Sequence, residues 1–220
     1  TPLVDLALDR ARAVAPVVAV NAHDRVDRMW AHLAAGPDPP HLSIEEPEAL
    51  GTAGALGRLR GWIDGRDVLV VNVDAWHRAS LVDFAGGWDG HRTRLLTVVD
   101  PLRGTWGDRR YAGAALLPWA VVGCLDDTPS GLWEASWRGL VAGRDLELVR
   151  HDGAFFDCGT PRDYLAANLA SSGGRSVVGA GAVVEGTVDA TVVWAGARVE
   201  RGEHLHRAVR ATHGVTVLVR

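Results

Sequence analysis

Lysine is missing from this chain. Every fixed positive side chain among its 220 residues is an arginine, which in a sequence so rich in alanine, valine and glycine reflects codon bias and excludes any site that needs a catalytic lysine. Cysteine is scarce. Cys124 and Cys158 stand far apart and match no CxxC metal spacing, so they read as buried thiols in a reducing compartment. Long apolar runs are absent too. Nothing approaches the roughly 18 residues of a membrane span, and the first residues carry no signal-peptide pattern, which together give a cytoplasmic reading with no membrane partner. Positive charge is not in excess. A formal net charge of −4 with scattered arginines provides no basic stripe, so nucleic acid is not an expected partner.

What is present is enough apolar material for a sizeable core, since 47% of positions are hydrophobic. Helical spacing of Leu3, Leu6, Ala7, Arg10 and Val14 behind Thr1-Pro2 predicts a helix to about residue 15. A short apolar run over 16–21 predicts a buried strand, and Val26, Met29, Trp30 and Leu33 return to helical spacing. After the Pro37–Pro40 break come a strand over 41–45, a small-residue turn, a helix through Leu56, Leu59 and Trp62, and a strand over 68–74. Further strands are expected over 94–99, 111–117, 146–149 and 154–157, with helices over 78–86, from Pro118, over 132–141 and from Pro161 to about 170. Such alternation predicts a Rossmann-like α/β domain over 1–170, with a mostly parallel sheet covered by helices on both faces.

The last 50 residues differ. Val177–Val184 reappears as Val192–Val199 with six of eight positions identical at an offset of 15, and aliphatic residues recur every six positions at Val178 and Val184, then at Val193, Val199 and Leu205. This predicts a hexapeptide-repeat β-helix over 171–220, parallel and left-handed. Coils this few cannot stand alone, so they should pack on the α/β body or on a second copy as a homo-oligomer interface.

Two stretches carry chemistry. Leu50-Gly51-Thr52-Ala53-Gly54-Ala55 is a turn without bulky side chains, able to take a flat ligand against bare backbone. Asp74 ends an apolar strand, where a carboxylate can hold a hard cation, and Ala75-Trp76-His77 after it gives no capping pattern. His77 reads as a polar rim residue rather than a ligand. Trp133 and Trp137 read as core anchors.

The order of these elements, with Leu50–Ala55, Val71-Asn72-Val73-Asp74, Asp157-Cys158-Gly159-Thr160-Pro161 and the hexapeptide repeat, resembles the sugar-1-phosphate nucleotidyltransferases, especially those like mannose-1-phosphate guanylyltransferase. The resemblance spans almost the whole chain and is most specific at the LGTAGAL stretch. It implies an enzyme making a nucleotide-sugar and pyrophosphate from a nucleoside triphosphate, GTP favoured, and a sugar 1-phosphate. It implies Mg2+ held by Asp74 and Asp157 as the catalytic acids, a nucleotide at Glu46, Leu50, Gly51, Thr52 and Ala53, and the sugar near Gly113. Glu46 stands five residues before Gly51, where relatives place the side chain that reads the base edge. Two plainer readings stand beside these: Glu46 as a solvated acid before Pro47, and Gly159-Thr160-Pro161 as a helix start capped by Thr160.

The chain departs from the family in places. The GxGTRxxP loop and Pro-Lys segment of relatives find no counterpart, Thr1-Pro2-Leu3 aligning just after them, and Val73 replaces a usual glycine. That leaves a gap where a central strand is expected, poor transfer activity for these residues alone, and a non-catalytic nucleotide-sugar-binding or regulatory homologue as the alternative. Arg58, Arg78, Arg109 and Arg110 are the candidate cations for the phosphates.

Overall fold

A computed structural model describes residues 1–143 and 145–219, with the side chains of 141–143 outside that description. The Val141 side chain, at the end of the predicted 132–141 helix, and Arg220, at the end of the predicted 171–220 segment, therefore lie outside the described residues. Contacts divide the chain into two units, one made of residues 1–73 and 79–153 and the other of 74–78 and 154–220.

The first unit opens with helix α1 (Leu3–Arg12), strand β1 (Ala19–Ala22), helix α2 (Val26–Ala34) and strand β2 (His41–Ile44). Val4, Leu8 and Leu33 close a small core over the two strands, which pair in parallel from Ala19 opposite His41 to Ala22 opposite Ile44. Helix α3 (Gly51–Ile63) leads to strand β3 (Val68–Val71); helix α4 (Leu81–Ala85), capped by the Ser80 hydroxyl on the Asp83 amide, leads to strand β5 (Thr93–Val99). Strand β6 (Arg109–Leu117), a short helix α5 (Trp119–Val122), a π-helical turn (Trp133–Trp137), helix α6 (Arg138–Gly143) and strand β7 (Leu146–Arg150) complete the unit.

The main sheet has the order β3-β6-β5-β7, in which β3–β6 and β5–β6 are antiparallel and only β5–β7 is parallel. This corrects the mostly parallel sheet expected from the sequence. The loop of residues 100–108 is too short for a crossover, so β5 and β6 form a hairpin and must run antiparallel. Strands β1 and β2 form a sheet of their own, separate from β3 among the described residues.

Leu56, Leu59 and Ile63 of α3 meet Leu95, Ala115 and Leu117 of the main sheet, with Val122, Leu125, Leu132 and Trp137 closing the cluster. Each of these larger aliphatic side chains contributes about 1.5–3 kcal/mol by leaving water. Trp137 is a core residue and Trp133 packs against the same cluster, as the sequence suggests.

The second unit joins strand β4 (Ala75–His77) to strand β8 (Phe155–Asp157) in an antiparallel pair, followed by helix α7 (Pro161–Ser172). Thr160 caps α7 by accepting from the Asp163 amide, Pro161 occupies its first turn, and Gly173 ends it at φ +67°. Short strands follow: β9 (Val177–Val178), β10 (Val183–Val184), β11 (Thr187–Asp189), β12 (Val192–Val193), β13 (Arg198–Val199), β14 (His204–His206), β15 (Ala208–Arg210) and β16 (Thr216–Leu218). They pair in parallel as β9–β12–β15, β10–β13 and β11–β14, so residues 15 to 17 apart lie side by side, and β16 closes the run antiparallel to β15.

Val193, Ala197, Val199, Leu205 and Ala208 fill the interior with Val184 and Val188 packed against them. Val178 departs from the expected inward set, being 49% exposed on the edge strand β9. The units part at residues 153/154 rather than at 170/171 because Leu165 of α7 is buried against Val192, Val209 and Val219.

Candidate functional site

The two predicted acids come together in the second unit. Ala75 faces Asp157 across the β4–β8 pair, and the Cys158 amide donates to the Asp74 carbonyl at 2.8 Å, so the end of that pair carries Asp74 next to Asp157 although 83 positions separate them in sequence. Gly159 lies close to both side chains. A Cβ on Gly159 would lie 3.5 Å from Asp157 Oδ1 and 3.7 Å from Asp74 Oδ2, so one point lies within ordinary contact of both carboxylates.

Asp74 keeps surface open to a ligand, yet its neighbours strip part of its water. That desolvation, followed by the charge of Asp157, raises its pKa above the ordinary aspartate value against the pull of a hydrogen bond from its own backbone. Cys158 feels the same field. Burial, then Asp74, Asp157 and Asp163, push its thiol up to about 11, which leaves it a poor metal ligand beside two hard oxygens. His77 is a buried residue rather than a rim one, at 4% exposure with its ring 6.5 Å from that of Phe155.

Among the described residues no group of three or more His, Cys, Asp or Glu side chains gathers around a common point. Asp74 and Asp157 are the two side chains here that could contribute carboxylate oxygens to a hard cation.

In the first unit the LGTAGAL turn opens α3, and its glycines have protein neighbours. The chain of residues 126–130 lies along them: a Cβ would come 2.6 Å from the Ser130 carbonyl oxygen at Gly51, 2.7 Å from that of Thr128 at Gly54 and 1.9 Å from that of Asp126 at Gly57. Those distances are below any real contact, so this face of the helix is bare for the sake of the strap. Two hydrogen bonds fasten it, Ala53 N–H to the Ser130 carbonyl at 3.1 Å and Ser130 N–H to the Leu50 carbonyl at 2.8 Å.

The predicted nucleotide residues are split by this packing. Leu50 and Ala53 are buried at 4% and 1% exposure, whereas Glu46 and Gly51 are exposed and Thr52 is half-buried. Gly113 is buried in β6 at φ +82°, and its carbonyl accepts from the Asn72 amide at 2.8 Å. That conformation alone calls for glycine.

Sequence reasoning passed over Glu45. This residue is 3% exposed, and its carboxylate accepts from Asn21 Nδ2 at 2.6 Å and from the Leu50 amide at 2.7 Å. The signal in the sequence is faint. Ser43 of β2 and Glu45 just after it are buried while Ile44 is 44% exposed, the reverse of what an apolar-in pattern predicts.

No protein-family model matches the chain, and no curated protein is similar to it in sequence. Solved structures are similar in fold. The mannose-1-phosphate geranyltransferase of Thermus thermophilus superposes with a TM-score of 0.69 at 14% identity, over 99% of this chain and 85% of that one. A Bacillus anthracis structure in complex with sucrose, named as a glucose-1-phosphate thymidylyltransferase, gives 0.66 at 13% identity over 77% of this chain and 82% of that one. A UTP-bound UGPase from Acinetobacter baumannii gives 0.57 at 15% identity over 77% and 82%. The structural neighbours of this chain are sugar-1-phosphate nucleotidyltransferases, and it carries their mixed α/β fold.

Proposed function

We propose that the chain belongs to the sugar-1-phosphate nucleotidyltransferases, joining a nucleoside triphosphate to a sugar 1-phosphate. The observation that carries this reading is the meeting of Asp74 and Asp157 at Gly159, in a chain with the fold of these enzymes. In the reaction an oxygen of the sugar phosphate bonds to the α-phosphorus, and the bond from that phosphorus to the bridging oxygen breaks. Pyrophosphate leaves with its electrons. The attacking oxygen is already anionic, so no general base is required.

Asp74 and Asp157 would hold a magnesium ion, whose charge offsets that of the phosphates. Desolvation and the charge of Asp157 disfavour the bare Asp74 carboxylate, and a cation held there would offset both. Glu46, exposed beside the α3 turn, would accept the N1–H and N2–H2 of guanine, which supports GTP over UTP or ATP. Mannose 1-phosphate is the acceptor this reading favours, with Gly113 near it.

The parallel ladders at offsets of 15 to 17 support a short left-handed hexapeptide β-helix as the C-terminal element, and its exposed Val183 and Trp194 support self-association there. Free Cys124 and Cys158 are consistent with the cytoplasm, and no described helix is long and apolar enough to cross a membrane.

A second reading has its own observation. Three of the four candidate phosphate cations are near acids of their own: Arg58 stands 3.8 Å from Asp127, Arg109 3.5 Å from Asp108 and Arg110 3.6 Å from Asp100, while Arg78 lies 5.9 Å over the Trp76 ring. Cations so placed favour a nucleotide-sugar-binding homologue with little turnover. Pyrophosphate release from GTP, mannose 1-phosphate and Mg2+ separates the two. Turnover of about 1 s⁻¹ or more supports the enzyme, and binding of GDP-mannose without turnover supports the homologue.

A further inference from the structure

The base-reading turn is organised by a carboxylate that faces inward. Glu45 directly follows β2, its amide donates to the Ala22 carbonyl at 2.9 Å, and its own carbonyl is 2.9 Å from His23 Nδ1. Its side chain reaches in two directions, to Asn21 on β1 and across residues 46–49 to the Leu50 amide at the N-terminus of α3. No cation stands within ion-pair distance of this buried group among the described residues; its partners are an amide side chain, a backbone N–H and the positive end of a 13-residue helix. Of the first helical amides, Leu50 is taken by Glu45 and Ala53 by Ser130, whereas Gly51 and Thr52 have no acceptor among the described residues.

We propose that Glu45 is the positioning residue of the nucleotide-reading turn and a determinant of what that turn accepts. By spanning β1, β2 and α3 its carboxylate fixes the path of residues 46–49, and with it the place from which Glu46 is presented. By seating a negative charge on the helix N-terminus it also fills the position that an anion would otherwise take. With that charge in place, the Gly51 and Thr52 amides that stay open favour an uncharged base over phosphate. This inference rests on the nucleotide reading given above, and it assigns to Glu45 a task that neither Glu46 nor the glycines perform.

Three variants test it: Glu45→Gln, Asn21→Ala and the exchange Glu45→Gln with Asn21→Asp. The single Gln removes the charge and requires Asn21 to turn its amide over if a hydrogen bond between the two is to survive. The exchange restores both hydrogen bonds, since the new amide oxygen accepts from Leu50 while its NH2 donates to the new aspartate, and it returns the charge to the same pocket. In Glu45→Gln, hydrogen exchange at the Leu50 amide should speed up about tenfold or more, guanosine should bind about tenfold more weakly, and inorganic phosphate should begin to compete with it. The exchange should recover all three. Asn21→Ala, which keeps the Leu50 bond, should move the same way by a smaller factor, and this gentler change still decides the matter if Glu45→Gln does not fold.

Unchanged Leu50 exchange and guanosine affinity in both single variants would overturn the proposal, as would phosphate competition equal in wild type and variants. A wild-type chain that binds no guanosine would instead overturn the nucleotide reading, and Leu50 exchange alone would still decide whether Glu45 holds the turn.

Discussion

Asp74 and Asp157 lie diagonally across the end of the β4–β8 pair, with Gly159 close to both carboxylates. Loss of water, and then the charge of Asp157, raise the cost of ionising Asp74. The chain tolerates that cost in a place where a cation would remove it.

Asp74 holds its proton more tightly in the folded chain than in the unfolded one. Its contribution therefore favours folding below the ordinary aspartate range and is lost as pH rises through its folded value. Asp74→Asn should raise the melting temperature at neutral pH in a chelating buffer, and it should abolish the stabilisation that Mg2+ gives the wild type. A metal-free variant no more stable than wild type would mean that neither burial nor Asp157 disfavours the Asp74 charge. Asp157→Asn should lower the Asp74 pKa without returning it to the ordinary value, because burial is the larger cause; carboxyl NMR titration reads this directly.

Cys158 should resist alkylation. With its thiol near 11, on the order of 0.3% is thiolate at pH 8.5. In chelating buffer iodoacetamide should modify exposed Cys124 first and Cys158 at least about tenfold more slowly, with Asp74→Asn narrowing the difference. Mass spectrometry of the two peptides over time would show it, and equal rates would contradict the field described around the acid pair.

The glycines of α3 separate into two kinds. At Gly57 a Cβ would come 1.9 Å from the Asp126 carbonyl oxygen, whereas at Gly61 nothing lies within 4 Å. Gly57→Ala should cost about 1–3 kcal/mol and loosen the strap of residues 126–130. Gly61→Ala should stabilise by about 0.5–1 kcal/mol, as expected for alanine in an exposed helix interior. Urea unfolding of both variants is the check, and equal effects would mean that the strap is free to move aside.

Much of this was legible in the sequence and some was not, for reasons particular residues make plain. Thr160-Pro161 announced α7 through its own capping chemistry, and the repeat of Val177–Val184 at Val192–Val199 announced the ladders, since both are local signals. Trp137 as a core anchor followed from size and polarity. Strand β4 did not show, because three residues too few for any period become a strand only through their pairing with β8. The antiparallel β5–β6 pair depends on a loop length rather than on residue type. Glu45 was invisible for a different reason. Burial of a charge next to an exposed isoleucine depends on what Asn21 and Leu50 offer from two other elements, and no window of sequence holds all three.

Glu46 is a separate claim from Glu45. Glu46→Gln should reduce the preference for guanine over uracil nucleoside diphosphates by about tenfold, since a donor would face a donor at the base edge. Calorimetric titration with the two diphosphates gives the ratio, and an unchanged ratio would remove Glu46 from base recognition.

The most direct test is the affinity of GDP-mannose with and without Mg2+, measured by calorimetry for the wild type, Asp74→Asn and Asp157→Asn. If the two acids share one cation with the bound phosphates, the wild type should bind about tenfold or more tightly when Mg2+ is present, and neither variant should respond to the metal. Binding that is equally tight with and without Mg2+ in the wild type, or equally metal-dependent in all three proteins, would contradict it.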